Sequence, residues 1–304
     1  NTTANDNTAI GYDAGTANTT GEKNVVVGTY AFDANTTGSN NVAVGRAALS
    51  ANTTADNNTA IGYQTLEQNT TGAQNTAVGA LAGDALTTGD SNTAIGYVAL
   101  TSDTKGERAI AIGEGALFTQ NFTSETNNYN VAIGYNAGYS ITTGIQNTAI
   151  GGLALDANTT GGNNTALGMG ALGNATTANS NTAVGLNASV GNTTGSGNVS
   201  VGQDTLFAAT TADNNVAVGK GAGVAVTTGE QNTILGEASA EVLTTGNDNI
   251  AIGHDAADNL TTGQQNIAIG VDTSLSAADG ANQIVIGQNV TCTGDDNFTF
   301  GNGT

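Results

Sequence analysis

Proline and tryptophan are absent from this sequence, and cysteine and histidine occur once each, as Cys292 and His254. A single cysteine excludes an intrachain disulfide and a thiolate metal cage. Only 10% of the residues are charged, and five Lys and Arg stand against 25 Asp and Glu, a formal charge of −20. Nucleic-acid binding needs a basic footprint to displace phosphate counterions, so no nucleic-acid partner is expected. An anionic membrane surface would repel the chain for the same reason. No apolar run approaches the ~20 residues that span a bilayer, so no membrane insertion is expected. Aromatic residues make up 4% and glycines number 44, which is not the composition of an ordinary globule. Disorder is excluded too, because Val, Ile and Thr recur in fixed columns.

Those columns come from a repeat, first met as Asn7-Thr8-Ala9-Ile10-Gly11. Its glycine recurs every 17 residues, at Gly11, Gly28, Gly45, Gly62, Gly79, Gly96 and Gly113. One step of 21 leads to Gly134, the step of 17 resumes from Gly151 to Gly287, and a step of 14 reaches Gly301. The 18 motif glycines predict an all-β chain: a parallel β-solenoid of about 18 coils with a 17-residue repeat, one array over residues 1–304. Asn1-Thr2-Thr3-Ala4 match the second half of a repeat (compare Asn52-Thr53-Thr54-Ala55), so the chain reads as a fragment of a longer protein.

Four residues before the glycine stands Asn in 16 of 18 coils, among them Asn41, Asn58, Asn75 and Asn92. Stacked asparagines form amide ladders in stacked β structures. The flanking β-branched residues, such as Val42 and Val44 or Ile250 and Ile252, share one face of a strand, expected to be the core. The position between them is nearly always small and never charged, as in Ala43, Ala60 and Ala77, which suggests an opposite face covered by another chain. The motif glycines Gly45, Gly62, Gly79 and Gly96 supply a turn with φ > 0. Four and seven residues beyond them, large and small side chains alternate: Leu66 with Asn69 and Phe32 with Asn35, but Gly83 with Leu86 and Gly138 with Ile141. One core space is filled from either side, so both positions point inward. The coils at Gly11 and Gly185 fill it from neither. Thr-Thr-Gly, as at Thr70-Thr71-Gly72, reads as a second strand and turn.

Two places break the rhythm. Around Lys105-Gly106-Glu107-Arg108 the Asn is lost, and the next coil carries four extra residues between 114 and 130. That insertion brings Phe118, Phe122 and Tyr129 near Lys105 and Arg108, and inserted loops often carry binding surfaces. The turn residues Tyr12, Tyr63, Tyr97 and Tyr135 are a second candidate set. At 288–304, Phe298 and Phe300 replace the usual aliphatics and mark a transition out of the array.

Catalytic signals are missing. Gly168-Met169-Gly170-Ala171-Leu172-Gly173 matches a dinucleotide fingerprint but lacks the strand–turn–helix context, and no cofactor is expected. His254 occupies a variable turn column, Cys292 has no base to activate it, and no calcium-loop spacing orders the acidic residues. An enzyme is not indicated.

The repeat Asn-Thr-Ala-Ile-Gly-Tyr followed by Asn-Thr-Thr-Gly resembles trimeric autotransporter adhesin heads and phage tail fibres. The resemblance implies a left-handed parallel β-roll, a homotrimer, and a virion or extracellular location. It also implies a structural fibre segment that presents turns and one loop to a host-surface glycan or protein receptor. The adhesin heads use a shorter repeat, matched here only by the last step of 14. The stretch Asp295-Asp296-Asn297-Phe298-Thr299-Phe300-Gly301-Asn302-Gly303-Thr304 looks closer to the phage fibres. The alternative function is ice or surface binding through stacked Thr files.

Overall fold

In the computed structural model, residues 4–303 are described; Asn1–Thr3, which carry the repeat match, and Thr304 lie outside the described residues. The chain forms two compact units, Asn1–Gly152 and Leu153–Thr304. No helix occurs among the described residues, and the fold is a parallel β-solenoid of about 17–18 turns. In the first unit, three-residue strands from Thr8–Ile10 to Thr148–Ile150 stack in parallel, one coil apart. The register is set by the repeat: Val42 pairs with Thr59, and Thr59 with Thr76. The second unit repeats this from Thr165–Leu167 onward. It ends with two five-residue strands, Ile284–Gln288 and Phe298–Asn302, one 14-residue step apart.

Each regular coil holds one strand rather than two. The Thr-Thr segment is not a strand, although it stacks. Thr53 N–H and its Oγ1 both donate to the carbonyl of Thr70, and Thr70 repeats this to Thr87. One hydroxyl file is thereby consumed within the fold.

The strand faces the opposite way from the sequence expectation. Ala43, Ala60, Ala94 and Ala111 are buried, and the Val or Ile residues on either side turn outward. The alanine file is therefore covered by the chain's own core and not by a partner. The reason is thickness. Side chains from the turn side reach this column, since a Cβ on Gly83 would lie 3.1 Å from Leu66 and Leu86 and 3.9 Å from the Ala94 Cβ. The column is therefore mostly Ala, and the larger Ile234 is buried opposite Gly223. Parity along the strand then sends both β-branched neighbours out.

The turn side is built from left-handed backbone. In the coil of Gly45, Ala47 has φ 56°, Leu49 52° and Asn57 61°, and the same three columns recur in other coils. Left-handed φ at a non-glycine residue costs of order 1–3 kcal/mol. Hydrogen bonds along the stack offset it: Ala47 N–H donates to Thr29 C=O, Leu49 N–H to Thr65 C=O, and Asn57 N–H to Ser39 C=O. Each kink aims an amide at a neighbouring coil, so the conformation is favourable only within the array.

The alternation of large and small side chains is confirmed as one inward space per coil. Phe32, Leu66, Leu86, Leu100 and Ile141 are fully buried, and so are Asn35, Asn52 and Asn69. The asparagines form an unforeseen second ladder, in which Asn35 Nδ2 donates to Asn18 Oδ1 and Asn52 Nδ2 to Asn35 Oδ1, both at 3.0 Å. It stops at Leu86, which leaves Asn69 Oδ1 buried without a partner. The Gly185 coil fills its space with a polar pair, Ser189 Oγ to Ser200 Oγ at 2.9 Å. The Gly11 coil leaves a cavity of about 300 Å³ beside Gly15 and Asn18.

A swap tests this complementarity. Leu86→Asn alone opens a void and is expected to cost about 2–5 kcal/mol. Gly83→Leu alone overpacks, since its Cβ would lie 3.1 Å from methyl carbons of both Leu66 and Leu86. The double variant recreates the Leu66–Asn69 arrangement and gives Asn69 Oδ1 a donor. Denaturant unfolding is expected to return it to within about 1 kcal/mol of the parent.

Candidate functional site

The insertion is best understood from the ladder it interrupts. Asn41, Asn58, Asn75 and Asn92 are buried, and each Oδ1 accepts a backbone N–H from the next coil: Asn41 Oδ1 from Asn58 N–H at 2.8 Å, then Asn58 Oδ1 from Asn75 N–H at 2.9 Å. Each Nδ2 donates to a turn carbonyl, as Asn58 does to Gly72 C=O at 2.9 Å. Amide-to-amide bonds join this file in the second unit, for example Asn232 Nδ2 to Asn215 Oδ1 at 3.0 Å.

Ala109 breaks the file, since its N–H donates to Asn92 Oδ1 at 2.9 Å but it offers no side-chain amide to the next coil. The insertion repairs the loss. Asn128 Oδ1 accepts the Asn130 N–H at 2.9 Å, in the place an Asn at position 109 would have filled. Asp103 stands in the column where other coils carry a neutral residue, most often Asn or an aliphatic such as Leu86 or Ile141. Its Oδ1 accepts from Gly106 N–H at 2.9 Å and Phe122 N–H at 3.1 Å, and its Oδ2 accepts from Gln120 Nε2 at 2.7 Å. Gln120 Oε1 accepts from Asn130 Nδ2 at 2.8 Å. Burial of Asp103 raises its pKa, opposed without being overcome by the Gln120, Phe122 and Gly106 donors. A short parallel pair, Gly106–Glu107 with Thr126–Asn127, ties the segment down.

The five sequence candidates separate in this setting. Phe122 is buried, 6% exposed, and faces the fold rather than a receptor. Phe118 stacks on Tyr139 with ring centroids 4.8 Å apart and planes 4° off parallel. Tyr129 is half exposed and lies under the Arg108 guanidinium, 5.9 Å from its centroid. Arg108 also pairs with Glu107 at 3.3 Å, and Lys105 is half-buried, its carbonyl accepting from Thr126 N–H at 3.4 Å. Tyr129 and Arg108 thus share one surface, whereas Phe122 lies in the interior and Phe118 packs on Tyr139. Asp103 was missed in the sequence, although a carboxylate in a column of neutral residues was its signal.

The turn tyrosines Tyr12, Tyr63, Tyr97 and Tyr135 are all exposed. Tyr12 meets Tyr30 edge-on at 5.5 Å, and Arg46 lies over Tyr63 at 5.5 Å with its Nη1 donating to the hydroxyl at 3.2 Å. They are neighbours along a stack edge and do not converge on a pocket.

In each unit the outer face of the strands forms a repeating surface. Beside each buried alanine it carries two files: Thr59, Thr76 and Thr93 in one, Ile61, Val78 and Ile95 in the other. Ile61 is 40% exposed and Ile95 36%, and in the second unit Leu167 and Leu235 are each 44% exposed. Stacked neighbours shield these side chains above and below, so only their outward ends remain open. No residue of either file is charged in any strand of either unit. No protein-family model matches the chain, and no curated protein matches it in sequence.

Proposed function

We propose that this chain is a structural segment of an extracellular or virion fibre, a phage tail fibre or a surface adhesin, that assembles as a homotrimer through its outer sheet face. The uncharged outer face carries this reading. Parallel sheets are normally covered on both faces, and here the alanine face is covered by the chain's own core while the outer face is left open. An uncharged surface with a continuous aliphatic file of this kind marks an interaction site. The occupant must match a file that repeats with every coil. A second copy of the same chain has that spacing by construction, and an unrelated globular partner does not. Three-fold symmetry follows the repeat resemblance, as does receptor attachment through Tyr129, Arg108 and Lys105. Three copies would multiply weak contacts by avidity.

The test is solution mass by light scattering coupled to size exclusion. The expected value is three times the 29.8 kDa chain. Ile61→Asp combined with Ile95→Asp is expected to reduce it to the single-chain mass with an unchanged far-UV spectrum. A parent chain at 29.8 kDa would sink the assembly reading. It would then favour a surface- or ice-binding solenoid, which a thermal-hysteresis measurement would detect.

A further inference from the structure

We infer that His254, Asp255 and Asp272 form a binding site for one borderline divalent cation of the zinc, cobalt or nickel type, bridging two adjacent coils. The chain's only histidine follows the motif glycine Gly253, and Asp255 and Asp272 occupy the same column one coil apart. Both aspartates have left-handed backbone, φ 50° and 52°, and stand at one edge of the stack, Asp255 half-buried and Asp272 exposed. The spacing between coils is fixed by main-chain bonds: Asp272 N–H donates to His254 C=O at 3.1 Å, and Asp255 N–H to Glu237 C=O at 3.2 Å. Within this frame His254 Nδ1 lies 2.9 Å from Asp255 Oδ2, and one ligand atom from each of the three residues falls within 4.8 Å of the others. Among the described residues no other group of three His, Cys, Asp or Glu side chains converges in this way.

Ligand atoms bound to one ion at ~2.0–2.2 Å stand up to ~4.4 Å apart, so rotation of exposed side chains suffices to close the set. The donor set selects the ion. Imidazole nitrogen with carboxylate oxygen suits zinc, cobalt, nickel or copper, whereas calcium and magnesium take oxygen ligands. Two carboxylates one coil apart repel each other, and a cation between them removes that repulsion. Glu237, one coil below His254, is drawn the other way by Lys220 at 3.7 Å, so the triad takes its remaining ligands from water. Bound metal would clasp the coils of Gly253 and Gly270 at their exposed edge. The site does not depend on the fibre reading.

Calorimetric titration of the full chain with zinc chloride in chelator-treated buffer tests this directly. The expected result is saturable binding at one ion per chain, raised Tm with zinc, and no response to calcium or magnesium. Cobalt should give the visible absorption of a protein-bound ion. Asp272→Asn keeps a residue that accepts left-handed backbone, so its metal-free Tm should equal the parent's. Its zinc affinity, and that of His254→Ala, should fall by at least about tenfold. Absence of saturable binding, or binding that survives His254→Ala unchanged, would overturn the inference.

Discussion

Gly62→Ala is expected to disrupt its coil, with a cost above about 4 kcal/mol, which places it among the severe single substitutions. Gly62 has φ +146°, a region closed to L side chains. A Cβ there would lie 2.5 Å from the carbonyl oxygen of Gly79 and 2.6 Å from both its carbon and Thr65 Oγ1. Neither backbone can withdraw, because Gly62 N–H is bonded to Val44 C=O at 2.8 Å and Gly79 N–H to Ile61 C=O at 2.8 Å. Gly221→Ala is the matched control. Its φ of +67° is left-handed, but nothing lies within 4 Å of the added methyl group, so it should cost only about 1 kcal/mol. Repeat arrays need not unfold in one step, so the readout is amide hydrogen exchange by segment. Gly62→Ala should lose protection across the coils from Gly45 to Gly79, while Gly221→Ala should change little. Equal effects from the two would mean that glycine is required for chain flexibility rather than for close stacking.

The motif glycine was legible from its spacing, and so was the solenoid, because a 17-residue clock has few physical causes. The pairing of Leu66 with Asn69 and of Gly83 with Leu86 was legible because side-chain volumes within one chain complement each other. The facing of the strand was not. In Val42-Ala43-Val44, volume suggested the two valines as core, and only the thinness of the coil, a property of the closed turn, reverses that. The left-handed leucines were hidden as well. Nothing in Leu49 or Leu66 announces φ near 50°, because the bonds that stabilise it come from neighbouring coils. At the insertion, the sequence located the break and the aromatic residues. It could not show that Asn128 restores the ladder lost at Ala109, since that contact depends on where a four-residue detour returns.

Asp103→Leu should release the insertion. Leucine is what the preceding coil carries at this column, as Leu86, so volume and hydrophobicity both appear to permit it. Hydrogen bonding decides the outcome instead. The N–H groups of Gly106 and Phe122 and the Nε2 of Gln120 would all lose their acceptor in a buried site. At about 1–3 kcal/mol per stranded group, the loss exceeds anything a leucine adds. Phe122 should leave its buried position, and hydrogen exchange and protease cleavage should rise across 120–130. Asp103→Asn separates charge from shape. Burial raises the Asp103 pKa, so the folded chain holds this proton more tightly than the unfolded chain does. For a carboxyl group shifted in that direction, the penalty of the buried charge is fully present above the folded pKa. It disappears as pH falls through that value toward the unfolded one near 4. The parent should therefore gain stability relative to Asp103→Asn as the solution is acidified, while contributions from all other groups cancel in the difference. A difference that moves against the parent on acidification would show that the three donors stabilise the carboxylate more than burial penalises it. In that case the insertion would be pinned by a charge and not merely by a hydrogen-bond acceptor.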